Sequence, residues 1–269
     1  RTVQNSPVIY SEMTYYLPKT DSTNNRLLEY ITDRQSRGEQ IYNLTTFYTD
    51  FQTAGRGQQG NSWESEAGEN LLFSTCLLTG LPVDQQFCVS QIVSIAIAKV
   101  VRRVFEQYAP EHVDAVNIKW PNDIMFDGRK LVGILTEITG ELGKITYIVV
   151  GIGINVNINR DDFPEEIRDV ATSLSEMNGG EIPRVKFFRA VLEEFDKLYR
   201  QVNAAGFDII FERWKKYNIT LGKNVRVISA GDGGETFTGK AVDLDSEGAL
   251  IVETEKGLRT VYAGDVSIR

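Results

Sequence analysis

The sequence predicts an α+β chain in which a mixed central sheet flanked by helices is followed by a small β-barrel. Three observations lead there. Short strand-like runs interleave with longer stretches of helical spacing from Tyr15 to Tyr217, the pattern of a layered sheet-and-helix unit. Near Leu221 the character changes, and the chain to Arg269 alternates short β-rich segments with glycine turns. The length, 269 residues, exceeds the usual size of one domain, so a large unit over 1–220 and a small one over 221–269 are expected.

Each element has its own signal. Tyr15 to Leu17 reads as a short strand, and Asp21-Ser22-Thr23 then supplies N-cap chemistry for a helix over Asn24 to Thr32, with Leu27, Leu28 and Ile31 on one face. Thr45 to Phe51 is a strand that runs into a glycine-rich loop, and Leu71 to Leu78 is a second. Phe87 to Tyr108 is a long helix whose stretch Ile92 to Val101 is apolar enough to be buried. Asn117 to Trp120 is a strand; Asp123 to Phe126 and Lys130 to Ile138 form a hairpin turned by Asp127-Gly128. Lys144 to Asn155 is a buried-looking strand, the acidic segment Asp161 to Asp169 a loop, and Val185 to Val202 and Phe207 to Tyr217 are helices. In the tail, Val225 to Ser229, Thr236 to Leu244, Ala249 to Thr254 and Arg259 to Ala263 are the segments of a five-strand barrel.

Composition removes several classes of function. With 42% apolar and 25% charged residues the chain is an ordinary globular one. A net charge of −8 argues against bulk attraction to nucleic acid. No apolar run reaches the ~20 residues needed to span a bilayer, so a reduced, cytoplasmic setting without membrane contact is expected. Cys76 and Cys88 match no zinc or redox spacing, and Cys76, inside an apolar run, reads as a buried free thiol. His112 is the single histidine and lies in a polar loop, so neither a histidine-based triad nor a histidine metal site is expected. Carboxylate ligation of a hard cation stays open.

Five segments carry ligand chemistry. Gln52-Thr53-Ala54-Gly55-Arg56-Gly57-Gln58-Gln59-Gly60-Asn61-Ser62-Trp63 joins glycines that permit close backbone approach to a planar guanidinium suited to carboxylate or phosphate. Ser22-Thr23-Asn24 clusters hydroxyls and an amide at a helix start, serving either as a simple cap or as a binding group. In Lys119-Trp120-Pro121-Asn122-Asp123 the proline holds the chain extended, and Asp123 is a carboxylate able to hold Mg²⁺ or orient an amine; an Asn-Asp turn is the plainer alternative. Gly128 to Glu137 opens a strand with Lys130 and leaves room for a ligand at Gly133. Gly151-Ile152-Gly153-Ile154-Asn155 holds a G-x-G, but no third glycine or following helix, so a Rossmann assignment fails.

Taken in order, these five segments resemble the motifs of biotin protein ligases: Ser-Thr-Asn, a Gly-Arg-Gly loop ending in Trp, Lys-Trp-Pro-Asn-Asp, Lys-x-x-Gly-Ile-Leu-x-Glu and Gly-x-Gly-Ile-Asn. The tail resembles that family's SH3-like C-terminal domain, and the larger unit its class II aminoacyl-tRNA synthetase-like catalytic domain. Only about twenty residues precede Ser22, so the resemblance implies the monofunctional class, without a DNA-binding domain or nucleic-acid partner.

The resemblance implies two steps. Biotin and Mg·ATP give biotinyl-5′-adenylate and pyrophosphate, and a lysine of a biotin carboxyl carrier domain then takes the biotinyl group. It assigns Ser22, Thr23, Asn24 and Gln52 to the biotin ring system. Arg56, Gly57 and Gln58 close over the carboxyl and phosphate, and Lys130 bridges the two. Gly133, Ile134 and Leu135 line the biotin cavity, while Trp63, Asn122 and Asn155 belong to the adenylate, and Asp123 to Mg²⁺ or the acceptor amine. Relatives often pair through their central sheets, which admits a homodimer.

Where many relatives read Gly-Arg-Gly-Arg-Arg-Gly, Gln58 and Gln59 follow Gly57 here. A guanidinium contact is roughly twice as strong as a neutral hydrogen bond, so closure is expected to lean on Arg56 and Lys130, and adenylate retention becomes a question. The alternative is a lipoate-protein ligase of the same fold, whose Arg-Arg-x-x-Gly-Gly-Gly type of loop is not found here. A non-catalytic biotin binder would not need Arg56, Asp123 and Lys130. A peptide-binding role for the tail is poorly supported by its two aromatics, Phe237 and Tyr262.

Overall fold

A computed structural model describes residues 13–77, 87–141, 144–206, 208–229, 235–262 and 264–269. Seven strands form one sheet: β1 (Thr14–Leu17), β2 (Thr46–Thr49), β3 (Leu71–Leu77), β4 (Val116–Lys119), β5 (Asp123–Phe126), β6 (Arg129–Glu141) and β7 (Lys144–Ile154). Their order is β1-β2-β3-β7-β6-β5-β4. The β1–β2 pair is parallel and the others antiparallel, which makes the sheet mixed as the sequence predicts.

Helices cover the two faces unequally. On one face lies α1 (Thr23–Ser36), whose Leu27 and Ile31 pack with Phe47, Cys76, Tyr147 and Val149. It packs mainly on β2, β3 and β7, and over Gly133 of β6 and Gly153 of β7 the glycine-rich loop covers that face with Trp63. On the other face α2 (Phe87–Tyr108) packs on β4, β5 and β6 and is itself covered by α4 (Arg184–Ala205) and α5 (Asp208–Tyr217). Ile92, Val93, Ile95, Ala96, Ile97 and Ala98 of α2 are all buried; a helix apolar all round belongs in a core. Among the described residues no helix is long and apolar enough to cross a membrane.

Several boundaries differ from expectation for local reasons. The first helix begins at Thr23 and runs to Ser36, a turn beyond its apolar pattern, and an ion pair of Asp33 with the C-cap Arg37 at 2.8 Å lies along its exposed end. A short helix, α3 (Leu174–Asn178), follows the acidic loop: Ser173 Oγ accepts from the Glu176 N–H at 3.2 Å. That is the Ser-x-x-Glu capping pattern. The β5–β6 hairpin turns at Asp127 and Gly128, both with positive φ (46° and 75°), as a two-residue turn between right-twisted strands demands. The Trp120–Pro121 peptide is cis. Leu78, Phe207 and Ala263, the ends of three expected elements, lie outside the described residues.

The tail is a five-stranded antiparallel sheet: β8 (Asn224–Ser229), β9 (Thr236–Leu244), β10 (Leu250–Thr254), β11 (Gly257–Val261) and β12 (Gly264–Ile268), ordered β11-β10-β9-β8-β12. The fifth strand is the last stretch of chain, too short for its Val266–Ile268 alternation to stand out. Val225, Val227, Ala241, Leu250, Val252, Val261 and Val266 form its buried side. The turn between β9 and β10 docks on the larger unit: the Gly248 carbonyl accepts from the Trp120 indole at 3.1 Å and the Gln91 amide at 3.3 Å.

Candidate active site

The site is built on backbone left bare by glycine. Gly133 of β6 stands directly opposite Gly153 of β7, and Leu135 opposite Gly151. A methyl group on Gly133 would sit 2.6 Å from the Trp63 ring, one on Gly153 would collide with the same indole, and one on Gly151 with the Asn24 amide. Without side chains the strands form a trough, in which an indole and an amide rest on the peptide planes.

The loop that delivers Trp63 is an ordered hairpin. Gly57 N–H donates to the Asn61 carbonyl at 2.7 Å, Trp63 N–H to the Gly55 carbonyl at 2.9 Å, and Arg56 bridges Ser62. Gln58 opens the 3₁₀ turn at its tip (Gln58–Gly60) and faces solvent.

At one end of the trough the start of α1 gathers neutral polar groups. Ser22, Thr23 and Asn24 are all buried. No side chain of the N-cap Ser22 caps the helix; the loop does so instead, since Gln52 Oε1 accepts from the Thr23 N–H at 2.8 Å and from its hydroxyl at 3.1 Å. The Ser74 hydroxyl on β3 reaches Thr23 Oγ1 at 2.7 Å and also Asn24 Oδ1, and with one proton it serves them by turns. The Asn24 amide donates to Glu137 at 2.6 Å. Before the helix, Asn25 and the Ser22 N–H hold the Asp21 carboxyl well below the usual carboxylate range.

At the other end the groups are charged. Lys130 Nζ, at the start of β6, lies 2.8 Å from Asp123 Oδ1 and 5.9 Å from the Trp63 ring centre. Asn122 is buried and its amide donates to the Ile134 carbonyl. Arg56 grips Glu137 with both arms, at 2.7 and 3.2 Å, and Asn25 at 3.0 Å.

These groups surround one cleft of about 180 Å³. It brings together Ser22, Thr23, Asn24, Gln52, Arg56, Gly57, Gln58, Trp63, Asn122, Asp123, Lys130, Gly133, Ile134 and Leu135. Asn155 is not on its wall: just past β7, its N–H donates to the Leu131 carbonyl and its own carbonyl accepts from Leu174 N–H, so it ties the strand end to α3. Sequence reasoning assigned no role to four contributors. Ser74 and Glu137 stand on the trough face, and the strand alternation Gly133-Leu135-Glu137 would have pointed to the second. Gly264 and Asp265 of the tail also line the cleft, which no local pattern signals.

No histidine or cysteine lines the cleft. His112 lies edge-on to Phe105 and Phe126. Cys76 and Cys88 are buried and not disulfide-bonded, and burial pushes the Cys76 thiol up to about 12. The cleft therefore has a neutral polar pocket joined to a cationic one and no base-activated side-chain nucleophile, an arrangement for aligning two bound reactants. Among the described residues no cluster of three metal-ligating side chains occurs.

Comparison with known proteins agrees with this geometry. Residues 16–155 match the model of the Biotin/lipoate A/B protein ligase family, and residues 220–269 that of the Biotin protein ligase C terminal domain. The bifunctional ligase/repressor BirA of Bacillus subtilis (strain 168) is 38% identical over 83% of this chain, which spans 66% of that relative's length. The biotin--[acetyl-CoA-carboxylase] ligase of Mycobacterium tuberculosis is 29% identical over 92% of the chain and 86% of its own. Among solved structures, the biotin protein ligase from Aquifex aeolicus in complex with biotin and ATP superposes with a TM-score of 0.76, at 28% identity, over 95% of this chain and 98% of that one.

Proposed function

This chain belongs to the Biotin/lipoate A/B protein ligase family, and from that premise we propose that it is an ATP-dependent biotin protein ligase. The observation that carries the reading is the junction of two environments in one cleft. A neutral, hydrogen-bonding pocket at the start of α1 suits a ureido ring. It opens onto Arg56 and Lys130, which suit a carboxylate meeting a phosphate. The Aquifex relative, whose structure holds biotin and ATP, supports it.

Ser22, Thr23, Asn24 and Gln52 hold the biotin ring system, with Gly133, Ile134 and Leu135 as the cavity floor. Arg56, Gly57 and Gln58 fold over the carboxylate. Lys130 faces both the carboxylate oxygen and the α-phosphorus it attacks, offsetting the charge that gathers as pyrophosphate leaves. Trp63 and Asn122 flank the adenylate. The neutral amine of the acceptor lysine then attacks the acyl carbon, the acyl–oxygen bond to phosphate breaks and AMP departs, and Asp123 orients the amine while its surplus proton passes to solvent. The acceptor is the carrier domain of a biotin-dependent carboxylase. Among the described residues no cage of three metal-ligating side chains occurs, so magnesium would come with the nucleotide phosphates, with Asp123 beside Lys130 to meet it. Bound there, it would neutralise phosphate charge. The tail, 221–269, completes the cleft with Asp265.

The test is direct. Purified protein given biotin and ATP should release pyrophosphate, form biotinyl-adenylate and label a carrier domain; lipoate in place of biotin should not. Pyrophosphate release indifferent to biotin overturns the proposal, and labelling by lipoate alone moves the chain to the sister activity.

A further inference from the structure

We infer that Glu137 is an affinity-setting residue: an internal carboxylate that competes with the ligand's carboxylate for Arg56. The inference rests on the biotin-ligase reading and adds to it a residue with no assigned role. Arg56 carries the guanidinium that an incoming carboxylate needs, yet both its arms are engaged by Glu137, at 2.7 and 3.2 Å, and one also by Asn25 at 3.0 Å. A bidentate fork bound to one carboxylate cannot present the same two donors to another. Glu137 is fixed from behind by the Asn24 amide at 2.6 Å, whereas Arg56 hangs from a loop and is 43% exposed against 24% for Glu137. The anchored partner stays and the exposed one exchanges.

The competition has a chemical consequence. An anion that cannot also fill the neutral pocket gains too little to free Arg56 from Glu137, whereas biotin brings ring contacts at Thr23, Asn24 and Gln52 with its carboxylate. Glu137 thus lowers the affinity of every carboxylate by the same factor, and only one whose ring contacts add to the Arg56 contact is held at low concentration.

The experiment compares biotin with biotinamide, its neutral analogue, binding to wild type and Glu137→Gln by calorimetry without ATP. Glutamine keeps an acceptor for Asn24 and removes the charge. Biotin should bind about 1.5- to fivefold tighter to the variant, the span expected for a partly exposed ion pair, while biotinamide shifts little. Equal shifts for both ligands would mean a merely structural role, and selective weakening of biotin would mean that Glu137 supports Arg56; either overturns the inference. Wild type that binds neither compound overturns the biotin reading itself, a result distinct from the other two. Should Glu137→Gln lose its fold, Glu137→Asp, which draws the charge back by one methylene, should move in the same direction by less.

Discussion

Glu137 and Glu194 each bind cationic side chains, on opposite sides of the seven-stranded sheet, and the contrast shows what makes an ion pair structural or exchangeable. Glu194, on α4, is only 3% exposed and held by Lys99 and Arg103, one turn apart on α2. Donors and acceptor all sit on packed helices, so the triad fastens α2 to α4 and nothing can replace a member. Burial alone would push the Glu194 carboxyl up, but hydrogen bonds and charge from Lys99 and Arg103 outweigh it and hold the group below its ordinary value. Glu137 has one partner, Asn24, on α1 and the other, Arg56, on a glycine-rich hairpin. Position on the scaffold, rather than distance, separates the two.

The largest expected effect breaks the comparison on the cleft side. Lys130→Ala should lower the rate of adenylate formation by roughly 10²–10³, the usual loss of a charge-stabilising donor, with thermal midpoint little changed because Lys130 is 39% exposed. Undiminished pyrophosphate release would remove its proposed role. Next comes the helix side. Glu194→Gln strips the charge between two cations and should cost roughly 1–3 kcal/mol of stability in urea, below the full value for a buried pair because Arg103 is half exposed. Residual activity per folded molecule should be unchanged.

Acid sharpens the same contrast. The folded chain binds fewer protons at Glu194 than the unfolded chain as pH falls through the carboxylate range. Its contribution is therefore complete above that range and is lost progressively as pH drops towards the lowered folded value. Urea midpoints measured from neutrality downwards should fall less steeply for Glu194→Gln than for wild type; parallel curves would show that the triad does not titrate with unfolding. The smallest effect concerns the loop tip. Gln58→Arg should slow escape of biotinyl-adenylate a few-fold, roughly the margin of a charged over a neutral hydrogen bond, and equal escape would remove Gln58 from retention.

How much of this was legible in the sequence follows from range. Local signals were enough for the strand–helix order, for the Asp127-Gly128 hairpin and for the cleft residues from Ser22 to Leu135, since each lay within a short stretch of distinctive chemistry. Glu137 lay at the end of such a stretch, yet its importance depends on Arg56, 81 residues away in the chain. Ser74 sits in an apolar run and is polar only towards Thr23 and Asn24. Asn155 follows a glycine pair that belongs to the trough, but it stands past the strand end, where its backbone turns to α3, a placement no local signal gives. The capping of α1 by Gln52 rather than Ser22 is likewise a long-range bond that outcompetes the local one.

Trp120 draws consequences for anyone who would cut this molecule down. Its N–H donates to Thr220 Oγ1 at 2.9 Å and its indole to the Gly248 carbonyl at 3.1 Å, so a residue two places from Asn122 is stitched to both the connector and the tail. Trimming the last fifty residues would leave that indole donor stranded in a buried place and slacken the strand end that aims Asn122 and Asp123. The tail is therefore less an attachment than a clamp on the strand end beside the candidate cleft.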